Sequence, residues 1–392
     1  MPPTGSFMSQ AQNDILALNG AISAFDEPDR QPVCYTASVR YPMPVPAFDD
    51  QSTESFERGL ALYEAEADAA ARSVKMPAVT LSLFTLENAR FVIDPDAYGM
   101  ILDADSRIVF EPSCFSSTDL LSGTAKHLPD MPVRDELDEV FIGFDAAWTH
   151  YYHWLLYGIS KTSIADSILP KSVDLVIPDF SVIDPDTQRP SFTSETFEAS
   201  LDLAGLKNRV RRTGNGIWRA KKLHFLWHAP QMPELYVSFA RPCRVFDGMD
   251  IQYRPDLPKR FYITREGSSD PRITPEEQAE IERVLKDEEL EKVFPEKLDF
   301  ETQAALFRQA EFIMAPHGAG LANLIFAKPG TMVLELNRQI DQPHLRNCFY
   351  LVALQRQLYY SFLDLSTEKL TAPLLEGAIA RLYEARLRQW PK

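Results

Sequence analysis

Residues Glu311 to Leu336, reading EFIMAPHGAGLANLIFAKPGTMVLEL, constrain the fold more than any other stretch: an apolar strand, a glycine-bearing turn, a helix and a second apolar strand follow in turn. That order is one βαβ step. Glu311 to Ala315 is short and apolar, as a buried parallel strand is, and Pro316-His317-Gly318-Ala319-Gly320 has the backbone freedom for a sharp turn. A helix is expected from Leu321 to Ala327, stopped by Lys328-Pro329-Gly330, with a second strand over Thr331 to Leu336. The first N–H groups of such a helix have no intrahelical partner, and its dipole favours negative charge there. The turn is therefore suited to a phosphate or diphosphate.

Other uses of the turn have to be weighed. The plainer reading is that Gly318 and Gly320 merely shape a tight turn, and an isolated G-x-G does not decide between that and a phosphate site. A nicotinamide-cofactor fingerprint needs a third small residue and an acid about twenty residues on. Here Asn323 takes the third position, and Arg338 and Gln339 stand where the acid belongs, which speaks against a Rossmann-type oxidoreductase. An oxyanion hole of the His-Gly-Gly-Gly type needs a G-x-S-x-G nucleophile elbow, and the chain has none.

Upstream, Arg265 ends Phe261-Tyr262-Ile263-Thr264-Arg265, Arg272 follows, and Gln303 lies on a helical stretch; then come His317 to Leu321, Asn323, Phe326, Pro329, Gly330 and Glu335. In this order the segment from Lys259 to Leu336 resembles glycosyltransferase family 61, also known as DUF563. The family pattern is an Arg near a strand end, a second Arg, a Gln on a helix, H-G-A-G-L-x-N, F-x-x-P-G and a Glu closing the next strand. A weaker likeness lies at Tyr151-Tyr152-His153-Trp154-Leu155, similar to the family's aromatic-aromatic-His-aromatic segment at a helix start. The chain departs from the pattern twice. Tyr157 stands where the family often has an Asp or Glu, and Thr274 stands where an Asn commonly follows the second Arg. The first departure leaves the identity of the catalytic base open.

The resemblance implies an α/β protein of the GT-B type, with two Rossmann-like domains facing a cleft and β decoration in the N-terminal half. It also implies transfer of a sugar from a nucleotide-sugar to a glycan or glycolipid acceptor. The reading is an inverting, metal-independent glycosyltransferase of capsular, lipopolysaccharide or exopolysaccharide biosynthesis. Donor binding then falls to Arg265, Arg272, His317, Gly318, Ala319, Gly320, Asn323 and Glu335: the arginines and the Gly318 to Gly320 amides on the diphosphate, and Glu335 on the ribose hydroxyls.

An inverting transfer needs a base for the acceptor hydroxyl. His153 is the candidate, expected across the cleft from His317; Asp145, just after an expected strand over Val140 to Phe144, is either the base or the group that orients the imidazole. Tyr152, Trp154 and Tyr157 are expected to face the acceptor as aromatic surfaces suited to a sugar ring. Plainer roles stand beside these: surface ion pairs with Glu266 or Asp270 for the arginines, a turn cap for Glu335, a packed helix residue for His153. A non-catalytic nucleotide-sugar or glycan-binding module that lost its base is the second reading.

Composition bounds these expectations. With 56 acidic against 40 basic residues the formal charge is −16, which argues against nucleic acid as partner. Cys34, Cys114, Cys243 and Cys348 are far apart with no C-x-x-C pair, so neither a zinc knuckle nor a disulfide framework is indicated. No apolar run reaches the roughly 18 to 20 residues of a transmembrane helix, and MPPTGSFMSQAQND lacks the basic and apolar regions of a signal peptide. The expectation is a cytoplasmic enzyme with no cofactor beyond its nucleotide-sugar and no transmembrane segment, compatible with peripheral membrane contact. Three D-x-D triplets, Asp94-Pro95-Asp96, Asp103-Ala104-Asp105 and Asp184-Pro185-Asp186, suggest manganese in another glycosyltransferase fold. Two of the three contain Pro and look like turns, and none follows a nucleotide-binding strand pattern, so no metal site is expected.

Residues 1–50 read as a loose lead-in, 51–248 as an N-terminal acceptor-side α/β domain, 259–370 as a Rossmann-like nucleotide-sugar domain and 371–392 as a closing helix. In the first domain a helix is expected over Ser52 to Ser73. Short strands are expected over Val79 to Phe84, Arg90 to Ile93, Gly99 to Leu102 and Arg107 to Phe110, then a helix over Tyr151 to Leu169. From Arg260 the alternation of strands and helices predicts a doubly wound sheet.

Overall fold

The computed structural model describes residues 21–22, 29–36, 39–42, 66–68, 73–94, 98–109, 128–145, 147–180, 191–229, 245–267, 272–338, 343–366 and 368–389. The protein is mixed α/β and divides into two compact units, Met1–Tyr35 with Val79–Gln231, and Thr36–Ala78 with Met232–Lys392. Thr36–Ala78 thus goes with the C-terminal half, outside the domain expected over 51–248. Strands occur within the expected lead-in, at Ala21–Ile22, Arg30–Thr36 and Val39–Pro42. Of the helix expected over Ser52 to Ser73, Glu66–Asp68 and Ser73 are strand, paired antiparallel. The rest of that span lies outside the described residues.

The first unit is built on a mixed sheet. Its strand order is Ala21–Ile22, Ile108–Val109, Tyr98–Leu102, Val79–Asp94, Gly216–Ala229, Val133–Ile142, Asp174–Pro178 and Val210–Thr213. From Gly216–Ala229 onward each neighbouring pair is parallel, while Val79–Asp94 runs antiparallel to Gly216–Ala229 and to Tyr98–Leu102. The two strands expected at Val79 to Phe84 and Arg90 to Ile93 are one. Asn88, at φ 53°, takes the left-handed conformation that Asn tolerates, and the strand runs on through it.

The helical run that starts at Tyr151 crosses this unit as Tyr151–His153, a π-helical turn over Trp154–Ile159, and Ser160–Ile168. Its first N–H is capped from a distance, donating from Tyr151 to Ser191 Oγ at 2.8 Å. Every residue from Trp154 to Ile159 is buried, the pattern of a helix packed on all sides. Gly158 is required in the π turn by space, because a Cβ there would lie 2.7 Å from the Trp154 ring. π-Bulges of this kind recur at functional sites.

The second unit carries an all-parallel sheet of five strands: Arg260–Ile263 (β1), Glu291–Val293 (β2), Phe312–Pro316 (β3), Met332–Asn337 (β4) and Tyr359–Asp364 (β5), in the order β2-β1-β3-β4-β5. The strand order reverses between β1 and β3, and open sheets bind ligands outside the carboxyl ends of their strands at such a point. Met332, Leu334 and Leu336 pack with Ile281 and Val284 of helix Pro275–Asp287 and with Ile379 and Leu382 of helix Ala372–Gln389. Each such Leu or Ile, wholly buried, contributes about 1.5–3 kcal/mol. Helix Pro275–Asp287 begins with a full capping box, Thr274 with Glu277, and that accounts for the Thr found where the family commonly has Asn. Among the described residues no helix is long and apolar enough to cross a membrane.

The helix expected over Leu321 to Ala327 is a 3₁₀ helix, Ala319–Phe326, and Leu321 to Phe326 are all buried. Helix Pro343–Arg356 and strand β5 were not expected from the sequence.

Candidate functional site

Arg265 follows β1 and Gly318 follows β3, so the switch point of the sheet brings them side by side. A Cβ built on Gly318 would lie only 2.2 Å from Arg265 Nη1, which means the guanidinium rests against bare backbone. Gly318 is extended, with φ 167°. Any residue adopts that conformation, so glycine is needed here for room alone. At Gly320 a Cβ would meet nothing within 4 Å. Arg265, Gly318, Ala319 and Gly320 all keep partial exposure. A cation, the start of a helix and accessible backbone therefore converge, the elements of an anion site.

His317, which closes the β3 turn, is held from beneath. Its Nδ1 donates to Glu335 Oε1 at 2.5 Å, Asn337 Nδ2 donates to the same oxygen at 3.0 Å, and the Tyr360 hydroxyl donates to Oε2. Glu335 and Asn337 are wholly buried and His317 is 6% exposed, beside the Phe349 ring at 5.0 Å. Three donors on one carboxylate are what an ionised, acceptor-only group takes. With Nδ1–H committed to Glu335, Nε2 is the imidazole nitrogen left for a ligand.

Two expected donor contacts are corrected by this packing. Glu335 is not placed for ribose hydroxyls, because it is enclosed and spent on His317, Asn337 and Tyr360. Asn323 is wholly buried as well and donates to Gln303 Oε1 at 3.0 Å, while Gln303 donates to Leu298 O at 3.1 Å. The Asn323–Gln303 bond ties the 3₁₀ helix to helix Phe300–Arg308. Asn337 was legible, since E-L-N in a strand puts Glu335 and Asn337 on one face. Nothing local pointed to Tyr360.

Arg272 is partly exposed and sits at φ 63°, in the left-handed region. Its carbonyl accepts from Arg338 Nε at 3.1 Å, and Arg338 also donates to Leu365 O at 2.8 Å and pairs with Glu277. Burial would raise the Glu277 carboxyl, but the Leu370 and Thr274 amides and Arg338 together hold it below the usual carboxylate range. The position that a nicotinamide enzyme would fill with an acid is thus occupied by a structural arginine.

In the first unit Asp145 follows the carboxyl end of strand Val133–Ile142 and meets His153 at the head of the helical run. Asp145 Oδ1 accepts from the Ala147 amide at 2.9 Å, and Oδ2 lies 3.2 Å from His153 Nδ1. Asp145 is buried, whereas the His153 side chain keeps 16% exposure. Burial would push the Asp145 carboxyl up; His153, Lys161 and the Ala147 amide outweigh it and hold the group below its ordinary value. This is the orienting geometry for an imidazole, with Nδ1 on a carboxylate.

The aromatic residues next to His153 are not a sugar platform. Trp154 is wholly buried, donates from Nε1 to Ser200 Oγ at 2.9 Å and stacks on Phe197 at 4.2 Å. Tyr157 is wholly buried under the His153 ring at 5.3 Å, and Tyr152, 7% exposed, stands edge-on to both. Tyr152 and Tyr157 flank the imidazole, and Trp154 packs on Phe197 instead. Of the D-x-D triplets, Asp103-Ala104-Asp105 is engaged by Arg107, which pairs with Asp103 at 2.6 Å and Asp105 at 3.6 Å. Asp184, Asp186, Pro95 and Asp96 lie outside the described residues. Among the described residues no group of three or more His, Cys, Asp or Glu side chains converges on a point that could hold a metal ion.

The family model described as Glycosyltransferase 61 matches residues 151–334, a span that takes in His153, Arg265, Arg272 and the His317 to Gly320 turn. No curated protein matches the chain. The match over residues 151–334 supports assignment of this segment to glycosyltransferase family 61, and the chain is a glycosyltransferase.

Proposed function

We propose that this glycosyltransferase acts in the cytoplasm by inversion and without a metal, moving a sugar from a nucleotide-sugar to a glycan or glycolipid acceptor in capsular, lipopolysaccharide or exopolysaccharide biosynthesis. The observation that carries the nucleotide-sugar reading is the seat of Arg265 on Gly318 at the switch point. In the reaction His153 Nε2 takes the proton of the acceptor hydroxyl, and that oxygen bonds to the anomeric carbon from the face opposite the leaving group. The anomeric carbon–oxygen bond to the diphosphate breaks and its electron pair leaves with the nucleotide. Arg265, Arg272 and the Gly318 to Gly320 amides meet the charge that develops there, where fixed donors do most for the rate. The GT-B arrangement belongs to the same proposal, supported by the β2-β1-β3-β4-β5 order of the C-terminal unit.

Two expectations test the donor side. Arg265→Ala should weaken binding of the cognate nucleoside diphosphate by about 1.5–3 kcal/mol, or roughly 10- to 150-fold, the range of a hydrogen bond to a charged group. Gly318→Ala should lose affinity in the same direction, since its methyl group displaces the guanidinium without straining the backbone. Calorimetric titration reads both, and unchanged affinity in the two variants removes Arg265 from the site. Metal independence is tested separately: turnover should persist in excess EDTA, and a loss that manganese or magnesium restores would overturn that part of the reading.

A further inference from the structure

Arg338 enters no step of the reaction as described, yet it joins three separate parts of the second unit. It follows the carboxyl end of β4. Its Nη1 donates to Leu365 O, just beyond β5, at 2.8 Å, its Nη2 donates to Glu277 Oε1 on helix Pro275–Asp287, and its Nε donates to Arg272 O, between β1 and that helix, at 3.1 Å. At φ 63° Arg272 takes a conformation that is costly for a residue with a Cβ, and such a conformation persists where its surroundings fix it. Three neighbours do so here. Ile273, the next residue, is buried in the core with Ile281 and Leu365. Thr274 then opens the helix by its capping box with Glu277. Arg338 holds the Arg272 carbonyl itself. The buried Glu277 carboxylate accepts from the Thr274 and Leu370 amides, each at 3.0 Å, as well as from Arg338. The group that starts the helix thus also anchors the arginine that holds the residue two places before its cap.

We infer that Arg338 is a positioning residue for the donor diphosphate: by holding the Arg272 carbonyl it keeps that residue left-handed and so fixes the direction in which the Arg272 side chain leaves the loop. The inference rests on the reading of Arg272 as a donor-binding residue. Without the Nε bond, Arg272 is free to relax to negative φ, and with Ile273 and Thr274 pinned behind it the rotation falls on Arg272 and the loop before it. Arginine suits this place because its planar guanidinium presents donors in fixed directions, so one side chain serves two carbonyls and a carboxylate at once. Arg265 is seated separately, on Gly318, so the loss of Arg338 should reach the site through Arg272.

The test is a double-mutant cycle of Arg338→Gln and Arg272→Ala, read by calorimetric titration with whichever of UDP, GDP, ADP, CDP and dTDP the wild-type protein binds most tightly. Arg338→Gln should weaken that affinity by about 3- to 30-fold, and adding it to Arg272→Ala should cost nothing further, because both changes remove one interaction chain. The fall in Tm that Arg338→Gln brings should be the same in both backgrounds, since the bonds to Glu277 and Leu365 are lost whether or not Arg272 carries its guanidinium. An arginine that served stability alone would not split affinity from Tm in this way. A folded Arg338→Gln with wild-type affinity overturns the inference, and so does a loss of affinity that persists in full beside Arg272→Ala. Should the glutamine variant not fold, Arg338→Lys gives the same readouts with a charge kept opposite Glu277. A failure of the underlying reading shows itself differently, as wild-type affinity in Arg272→Ala or as a wild-type protein that binds none of the five nucleotides.

Discussion

His153→Ala is expected to lower turnover by about 10²- to 10⁴-fold while nucleotide affinity stays within about twofold of wild type, the usual signature of a lost general base. The geometry argues for the imidazole over its neighbour. Asp145 is enclosed, commits one oxygen to the Ala147 amide and the other to His153 Nδ1, and is held below the usual carboxylate range. A carboxylate stabilised in that way is a poor proton acceptor near neutral pH, whereas it orients an imidazole well. Tyr157, in the position where the family often carries an acid, packs its ring against the His153 ring at 5.3 Å. Single-turnover measurements with saturating donor separate the outcomes. Normal turnover places the base elsewhere, and a variant that loses nucleotide binding or unfolds marks His153 as structural.

How far the sequence revealed this site depended on how local each signal is. The turn from Pro316 to Gly320 was readable because its requirement, small residues between two apolar strands, is written in consecutive positions. The contact of Arg265 with Gly318 spans 53 residues, yet the strand pattern anticipated it, since both follow strand ends in a parallel sheet. Trp154 and Tyr157 were read as sugar-facing because they flank a histidine. The run Trp-Leu-Leu-Tyr-Gly-Ile is apolar on every side, however, and a helix of that composition is buried whatever its neighbours. The π turn itself was not readable, because it depends on Gly158 lying under the Trp154 ring, a contact of packing and not of periodicity. Glu335 was assigned to the ribose because a carboxylate can accept hydrogen bonds from both hydroxyls. Its donors come from the turn before the previous helix, from its own strand and from β5, a strand the sequence did not announce.

That buried carboxylate supports the second large effect. Glu335→Ala should destabilise the protein by about 3–5 kcal/mol, because it strands three buried donors, His317 Nδ1, Asn337 Nδ2 and the Tyr360 hydroxyl, and opens a cavity beneath them. For a unit of roughly 200 residues that corresponds to a fall in Tm of about 6–20 °C. Glu335→Gln should cost less, about 1–3 kcal/mol: the amide keeps one acceptor oxygen, but its NH₂ group faces a donor. Calorimetric unfolding checks the order, and an alanine variant that melts within about 1 °C of wild type would show that the cluster does not hold the turn. The comparison with Arg265→Ala separates the two layers of the site. Arg265 is partly exposed and touches the turn from outside, so its loss should weaken nucleotide binding and leave Tm nearly unchanged. Glu335 acts from below through His317, so its loss should lower both together.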